Sequence, residues 1–578
     1  MNTHLRSGRT RVLRLATGLA LLFPSAAVPA PGGASVRPGE PARPTLVIAI
    51  IVDQMRADYL DRFADLYGPG GFALLAGEGA VFTECAYPYA ATNTAPGHSL
   101  FLSGILPARS GIIGNEWFDR QAGRVVYCVE DSSVASVGID PADQAGRMSP
   151  RNFKGSSLGD WLTATSPESR VIGISIKDRG AILPAGRRPS GAYWFDPRSG
   201  NWISSTYYMH ELPGWVTRYN GALRPESYLA KQWRRLLPDS CYTRQGADDV
   251  AGEGAIPGET RPVFPHEIRD LADPVFSRAS RGARRFEAVI TSPFGNDLTA
   301  EFAEAAIAAE HLGTRGVTDI LTVSFSSPDY CGHIFGPDSQ EMEDMMVRLD
   351  GTLRGFLDYV FAHVGKENVL LVLTADHGVC PLPERAPVPG ASRVNPADVL
   401  ADIRVHLGQH FDYNEGQANL VQALSNGYIY LDEQGIRYHR LDPEAFRREV
   451  IACAVREPNI VRCIRREEIG NASPADGRDT VRALLRASFD GRRSGDIVLI
   501  TSEWSFYSSG NSGTTHGSTY WYDRHVPLLM FGQGVEPGRY DARCDPGEIA
   551  QTLARLIGIE PPAEQRAQDL LIAGKMKR

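Results

Sequence analysis

"TLVIAIIVDQMR", residues 45–56, is a continuous run of apolar and β-branched residues that stops at a carboxylate, Asp53. Polar and apolar positions do not alternate in it, so it predicts a strand buried on both faces, as in a parallel sheet. The pattern returns along the chain. "ESRVIGISIKDRG" (168–180) stops at Lys177, "TDILTVSFSSPD" (318–329) runs up to Asp329, and "ENVLLVLTADHG" (367–378) stops at Asp376. "DIVLITSEW" (496–504) and "VPLLMFG" (526–532) read as two more such strands. Between them lie "NDLTAEFAEAAIAAEHLG" (296–313) and "QEMEDMMVRLDGTLRGFLDYVFAHVG" (340–365), with apolar spacing near 3.6 and a closing glycine, and "PGEIAQTLARLIG" (546–558). Alternating strands and helices predict an α/β fold with a mostly parallel central sheet flanked by helices. Ligands bind such sheets beyond the C-terminal ends of the strands, where these polar residues stand.

The chain has 578 residues, 43% hydrophobic, and a net charge of −8. That allows a large core and gives no electrostatic case for nucleic acid. Arg6, Arg9, Arg11 and Arg14 precede the short apolar run "LATGLALLFPSAAV", and small residues follow. This reads as a secretory signal over residues 1–30, cleaved near Ala30 and leaving no membrane anchor, with a linker over 31–45. Export permits disulfides. Of the eight cysteines, Cys453 and Cys463 are the closest pair and could be bridged. No C-x-x-C occurs, which argues against a cysteine zinc site. Two stretches, about 185–295 and about 395–490, break the strand–helix rhythm within a catalytic domain spanning 46–578. They read as insertions, forming either a cap over the site or surface decoration.

Four pieces carry the chemistry: Asp53, the pair Asp329 and His333 in "DYCGH", the pair Asp376–His377 in "TADHG", and His516 in "GTTHGS". On a helix, Asp329 and His333 face one way and can chelate a metal. Asp376 and His377 converge only where the strand breaks, which Gly378 permits. Three carboxylates and three imidazoles without thiolate suit zinc, and less specifically manganese or cobalt. Six ligands are too many for one tetrahedral ion and about right for two, an arrangement that serves displacement at phosphorus.

"VDQMRADYL", "TAPGH", "GNEWFD", "IKDRGA", "PDYCGH", "TADHG" and "THGS" occur in the order and spacing of the alkaline phosphatase superfamily. The chain most resembles its phosphodiesterase/nucleotide pyrophosphatase-related branch, and within it the PafA-type bacterial alkaline phosphatases. The resemblance implies two zinc ions, one held by Asp329, His333 and His516. Asp53, Asp376 and His377 would hold the other, with Thr94 as its further ligand and as the nucleophile. Thr92, two residues earlier, has no role in the pattern. Pro96 suits the first turn of a helix. Thr94 would then cap that helix at the end that favours a phosphate. The resemblance also implies that the Asn115 amide donates to a phosphate oxygen, and that Lys177 and Arg179 mark monoesterases. Two residues apart at a strand end, these two cations can point the same way toward the more highly charged monoester.

The expected protein is an exported, monomeric phosphatase with an alkaline optimum. It acts on small-molecule phosphate monoesters through a phosphothreonine, with no separate protein general acid. A phosphodiesterase or nucleotide pyrophosphatase is the alternative. A sulfatase fits less well, because no Cys or Ser stands in a C/S-x-P-x-R motif. The complete ligand set argues against a non-catalytic binding protein.

Overall fold

The computed structural model describes residues 43–222, 224–273, 284–470, 480–565 and 569–571. The signal segment and most of the linker lie outside these residues. Fourteen strands matter here: β1 Leu46–Val52, β2 Ala80–Phe82, β3 Ser136–Val137, β4 Val171–Ser175, β5 Gly191–Asp196, β6 Asn201–Ser205, β7 Asp319–Phe325, β8 Val369–Thr374, β9 Val421–Ser425, β10 Tyr428–Leu431, β11 Ile460–Arg465, β12 Ile497–Thr501, β13 Leu528–Gly532 and β14 Gly538–Tyr540. The helices that bear on the site are α1 Thr94–Phe101, α2 Asp178–Ala185, α3 Phe294–Glu310, α4 Ser327–Phe335, α5 Gln340–Val364, α6 Pro396–Phe411, α7 Pro443–Ala454 and α8 Ile549–Leu556.

Ten strands form one sheet in the order β14-β2-β13-β8-β1-β7-β4-β5-β6-β3. Its middle, β8-β1-β7-β4-β5, is parallel. Every residue of β1, β7 and β8 is buried, as the unbroken apolar runs require. The register pairs Val52 with Phe325, Ile51 with Thr374, and Ser324 with Ser175. Four neighbouring strands therefore end together, and Asp53, Lys177, Asp329 and Asp376 emerge along one edge. The long helices α3 and α5 pack on the main core.

Two of the six strand runs behave differently from the sequence reading. "VPLLMFG" becomes β13, which joins the sheet but runs antiparallel to β8 and β2. "DIVLITSEW" becomes β12, which pairs antiparallel with β10 and β11 in a separate four-stranded sheet, β9-β10-β12-β11. An apolar run reports burial on both faces, not strand direction or partner. This second sheet has its own core with α6 and α7, built on Val399, Ile403, Leu407, Phe446 and Val450. Residues 191–205, within the first irregular stretch, supply β5 and β6 of the main sheet. All eight cysteines are free thiols, Cys453 and Cys463 included.

Candidate active site

Helix α4 starts two residues after β7 and carries Asp329 and His333 one turn apart. His333 Nε2 stands 3.2 Å from Asp329 Oδ1. His516 comes from the loop between β12 and β13 and places its Nε2 3.6 Å from the same oxygen. The ligand atoms of these three residues all lie within 4.8 Å of one another. On the other side, His377 Nε2 is 3.6 Å from Asp53 Oδ1 and 3.4 Å from Asp376 Oδ2. The structure thus brings all six side chains into one cluster. His377 and His516 stack at its centre, with ring centroids 3.5 Å apart.

Each imidazole is oriented by a main-chain carbonyl. His333 Nδ1 meets Thr514 O at 2.8 Å, His377 Nδ1 meets Gly378 O at 2.9 Å, and His516 Nδ1 meets Thr92 O at 2.7 Å. A carbonyl only accepts, so each Nδ1 carries a proton, and each Nε2 faces the carboxylates. Asp53 Oδ1 and His377 Nε2 are buried and lack a hydrogen-bond partner. Burial, with Asp329 and Asp376 beside it, pushes Asp53 well above the usual carboxylate range. Burial, then His377 and His333, push His516 well below the usual imidazole value. This oxygen and nitrogen donor set fits divalent metal cofactors.

Thr94 is buried at the first position of α1. The helix cap is Asn93, not Thr94: Asn93 is extended (φ −113°, ψ 163°), and the first helical bond runs from Gly97 N–H to Asn93 O at 3.1 Å. The Thr94 hydroxyl instead accepts a 3.4 Å bond from Arg179 Nη2. Asn115 Oδ1 accepts the Ala95 N–H at 2.9 Å, which fixes the amide with its NH2 group free to donate elsewhere. Gly97 and Gly378 are glycines because the backbone approaches closely. A Cβ on Gly97 would lie 2.3 Å from Asp376 O, and one on Gly378 would lie 2.1 Å from Tyr522 O.

Lys177 and Arg179 flank the start of α2 and both line one cavity. Arg179 turns toward Thr94 and is braced by Tyr127, whose hydroxyl accepts from Nη1 at 2.9 Å and donates to Asp178 at 2.6 Å. The Lys177 ammonium bonds Asp53 at 2.7 Å and also Asp329. Burial opposes its charge, but Asp329 and Asp53 outweigh burial and hold its pKa above the usual lysine value. That cavity, about 400 Å³, is lined by Lys177, Arg179, Tyr127, Arg284 and Tyr330. A second, about 340 Å³, opens beside His516 and reaches Asn426, Tyr428 and Tyr520.

Three residues join the site that the sequence reading assigned no part in it. Thr92 orients His516 through its carbonyl. His98, one turn after Thr94, places Nδ1 2.9 Å from Thr94 O and 3.1 Å from Asp376 Oδ2. Gln54 donates its N–H to Asp376 Oδ1 at 3.1 Å and its Nε2–H to Asp329 Oδ1 at 2.7 Å, so one residue touches both ligand groups. It does so at φ +66°, an unfavourable backbone for a residue with a side chain. Its position directly after a ligand aspartate was the available signal.

A buried carboxylate–imidazole cluster at the C-terminal edge of a parallel sheet, with a hydroxyl at a helix N-terminus beside it, defines an alkaline phosphatase-like α/β enzyme. Residues 47–525 match the family model described as type I phosphodiesterase / nucleotide pyrophosphatase. The chain belongs to this family and is a PafA-like member of its alkaline phosphatase branch. It is 38% identical to alkaline phosphatase PhoV of Synechococcus elongatus over 560 residues, 96% of this chain and 98% of that one. It is 36% identical to alkaline phosphatase PafA of Elizabethkingia meningoseptica, covering 90% and 93% of the two chains. The crystal structure of PafA superposes with a TM-score of 0.84 at 35% identity, over 92% of this chain and 99% of that one. A solved variant of PafA is altered at a threonine, an asparagine, a lysine and an arginine with the same intervals as Thr94, Asn115, Lys177 and Arg179.

Proposed function

We propose that this protein hydrolyses phosphate monoesters with Thr94 as the nucleophile, through a covalent phosphothreonine. The observation that carries the reading is the pairing of the Thr94 hydroxyl with Arg179 at the mouth of the six-ligand cluster. The spacing shared with the altered PafA positions supports the same assignment.

Two zinc ions, one held by Asp329, His333 and His516 and one by Asp53, Asp376 and His377, would supply Lewis-acid activation and charge for the attacking and leaving oxygens. The chain's own groups do the rest. The α1 N-terminus offers partial positive charge to the phosphoryl oxygens. Asn115, fixed by Ala95, donates its amide to one of them. Arg179, braced by Tyr127, binds another and holds the Thr94 hydroxyl toward phosphorus. Lys177 adds a second cation from the carboxylate side and rewards the dianionic monoester over a monoanionic diester. No separate side-chain general acid is proposed, because a metal held by Asp329, His333 and His516 would stabilise the departing oxygen. We further propose one catalytic domain over 46–578, a monomer in solution, and an exported enzyme. Among the described residues, no helix is long and apolar enough to cross a membrane.

The test compares kcat/KM for an aryl phosphate and its methyl diester in the metal-loaded enzyme. Preference for the monoester, lost in Arg179→Ala, supports the reading. Preference for the diester overturns it in favour of a phosphodiesterase.

A further inference from the structure

The lobe built on the four-stranded sheet carries a second donor cluster with no part in the catalytic site. On α6, His406 and His410 are one turn apart and share a helix face. Glu449 projects from α7, which packs on α6 through Ile403, Leu407, Phe446 and Val450. His406 Nε2 stands 3.0 Å from Glu449 Oε2, and His410 Nδ1 stands 3.6 Å from that same oxygen. The three donor atoms all lie within 4.8 Å of one another. Two ligands of a tetrahedral zinc with bonds of about 2.0–2.1 Å stand roughly 3.3 Å apart. The two measured separations straddle that value.

We propose that His406, His410 and Glu449 form a separate zinc site that clips α6 to α7. Two imidazoles and a carboxylate are a common zinc donor set, and a fourth position is left for water. The helices are fixed by the core beneath them, where Phe411 stacks on Phe446 with ring centroids 5.5 Å apart, so the ligands are held before any ion arrives. Access is open: the three side chains are 19%, 46% and 27% exposed. A cavity of about 320 Å³ adjoins His406 and is lined also by Asp402 and Cys453. Zinc would take the place of the hydrogen bond between His406 and Glu449. The same lobe supplies Asn426 and Tyr428 to the cavity beside His516.

The test uses the full chain without an affinity tag, equilibrated in zinc buffers, with zinc per chain measured by mass spectrometry. His406→Gln/His410→Gln should hold one zinc fewer than the unmodified protein, with kcat on an aryl phosphate unchanged. Only the difference is read, so the result does not depend on how many ions the catalytic centre holds. Glu449→Gln, which keeps both imidazoles, should weaken the extra site by about 10-fold or more. Equal zinc content in all three proteins, or an extra ion bound only at millimolar zinc, overturns the proposal.

Discussion

Gln54→Gly separates two effects that one residue combines. Gln54 holds φ +66°, and relieving such a backbone is worth about 1–3 kcal/mol. The substitution also deletes the 2.7 Å bond from Nε2 to Asp329. A hydrogen bond to a charged group contributes about 1.5–3 kcal/mol. The terms nearly cancel, so the unfolding free energy should change by less than about 2 kcal/mol. The bond from the Gln54 N–H to Asp376 belongs to the backbone and persists. Asp329 alone loses its orientation, so metal affinity at Asp329, His333 and His516 should fall by about 10–100-fold, the usual effect of removing a bond behind a metal ligand. The assay is kcat/KM for an aryl phosphate as a function of buffered free zinc. The expected curve moves to higher zinc and reaches the wild-type plateau. An unshifted curve, or a plateau that stays low at saturating zinc, would refute the positioning role.

Arg179→Ala should lower monoester kcat/KM by about 100–1000-fold while the diester loses less than about tenfold. Tyr127→Phe, which removes the hydroxyl that accepts from Arg179 and donates to Asp178, should cost the monoester roughly fivefold; equal losses on both substrates would contradict the selective role. Gly97→Ala drives a Cβ to 2.6 Å from Asp376 Cβ and should destabilise by about 1–3 kcal/mol with loss of activity, read by thermal unfolding and turnover. His266 is buried, which opposes its charge, but Glu259 and Glu341 raise its pKa to about 9. Its folded pKa exceeds the unfolded value of about 6.5, so its stabilisation, at most about 3 kcal/mol, is complete below pH about 6.5 and lost as pH rises through about 9. The unfolding midpoint should fall across that window in the wild type and less steeply in His266→Gln. Parallel profiles would dismiss the imidazolium.

Four strands of the parallel middle, β8, β1, β7 and β4, were legible because each is an unbroken apolar run ending near a polar residue, whereas β5 lay in a stretch read as an insertion. β12 was misplaced because its run, "IVLIT", has the same composition, yet its partners are Ile429 and Cys463 of a different sheet. The direction of β13 was invisible for the same reason. That Asp329 and His333 would share a helix face was readable from their spacing. The role of Thr92 was not, because it acts through a carbonyl that every residue has. The reading of Thr94 as helix cap missed by one position, since an extended Asn93 is not marked in the sequence.

The most direct test of Thr94 as nucleophile is rapid acid quenching of the metal-loaded enzyme during turnover of an aryl phosphate, followed by digestion and mass spectrometry. The account predicts one added phosphoryl group on Thr94, in "ATNTAPGHS". It also predicts no such adduct and no turnover in Thr94→Ala at unchanged metal content. A phosphoryl group on another residue, or near-normal turnover by Thr94→Ala, would contradict it.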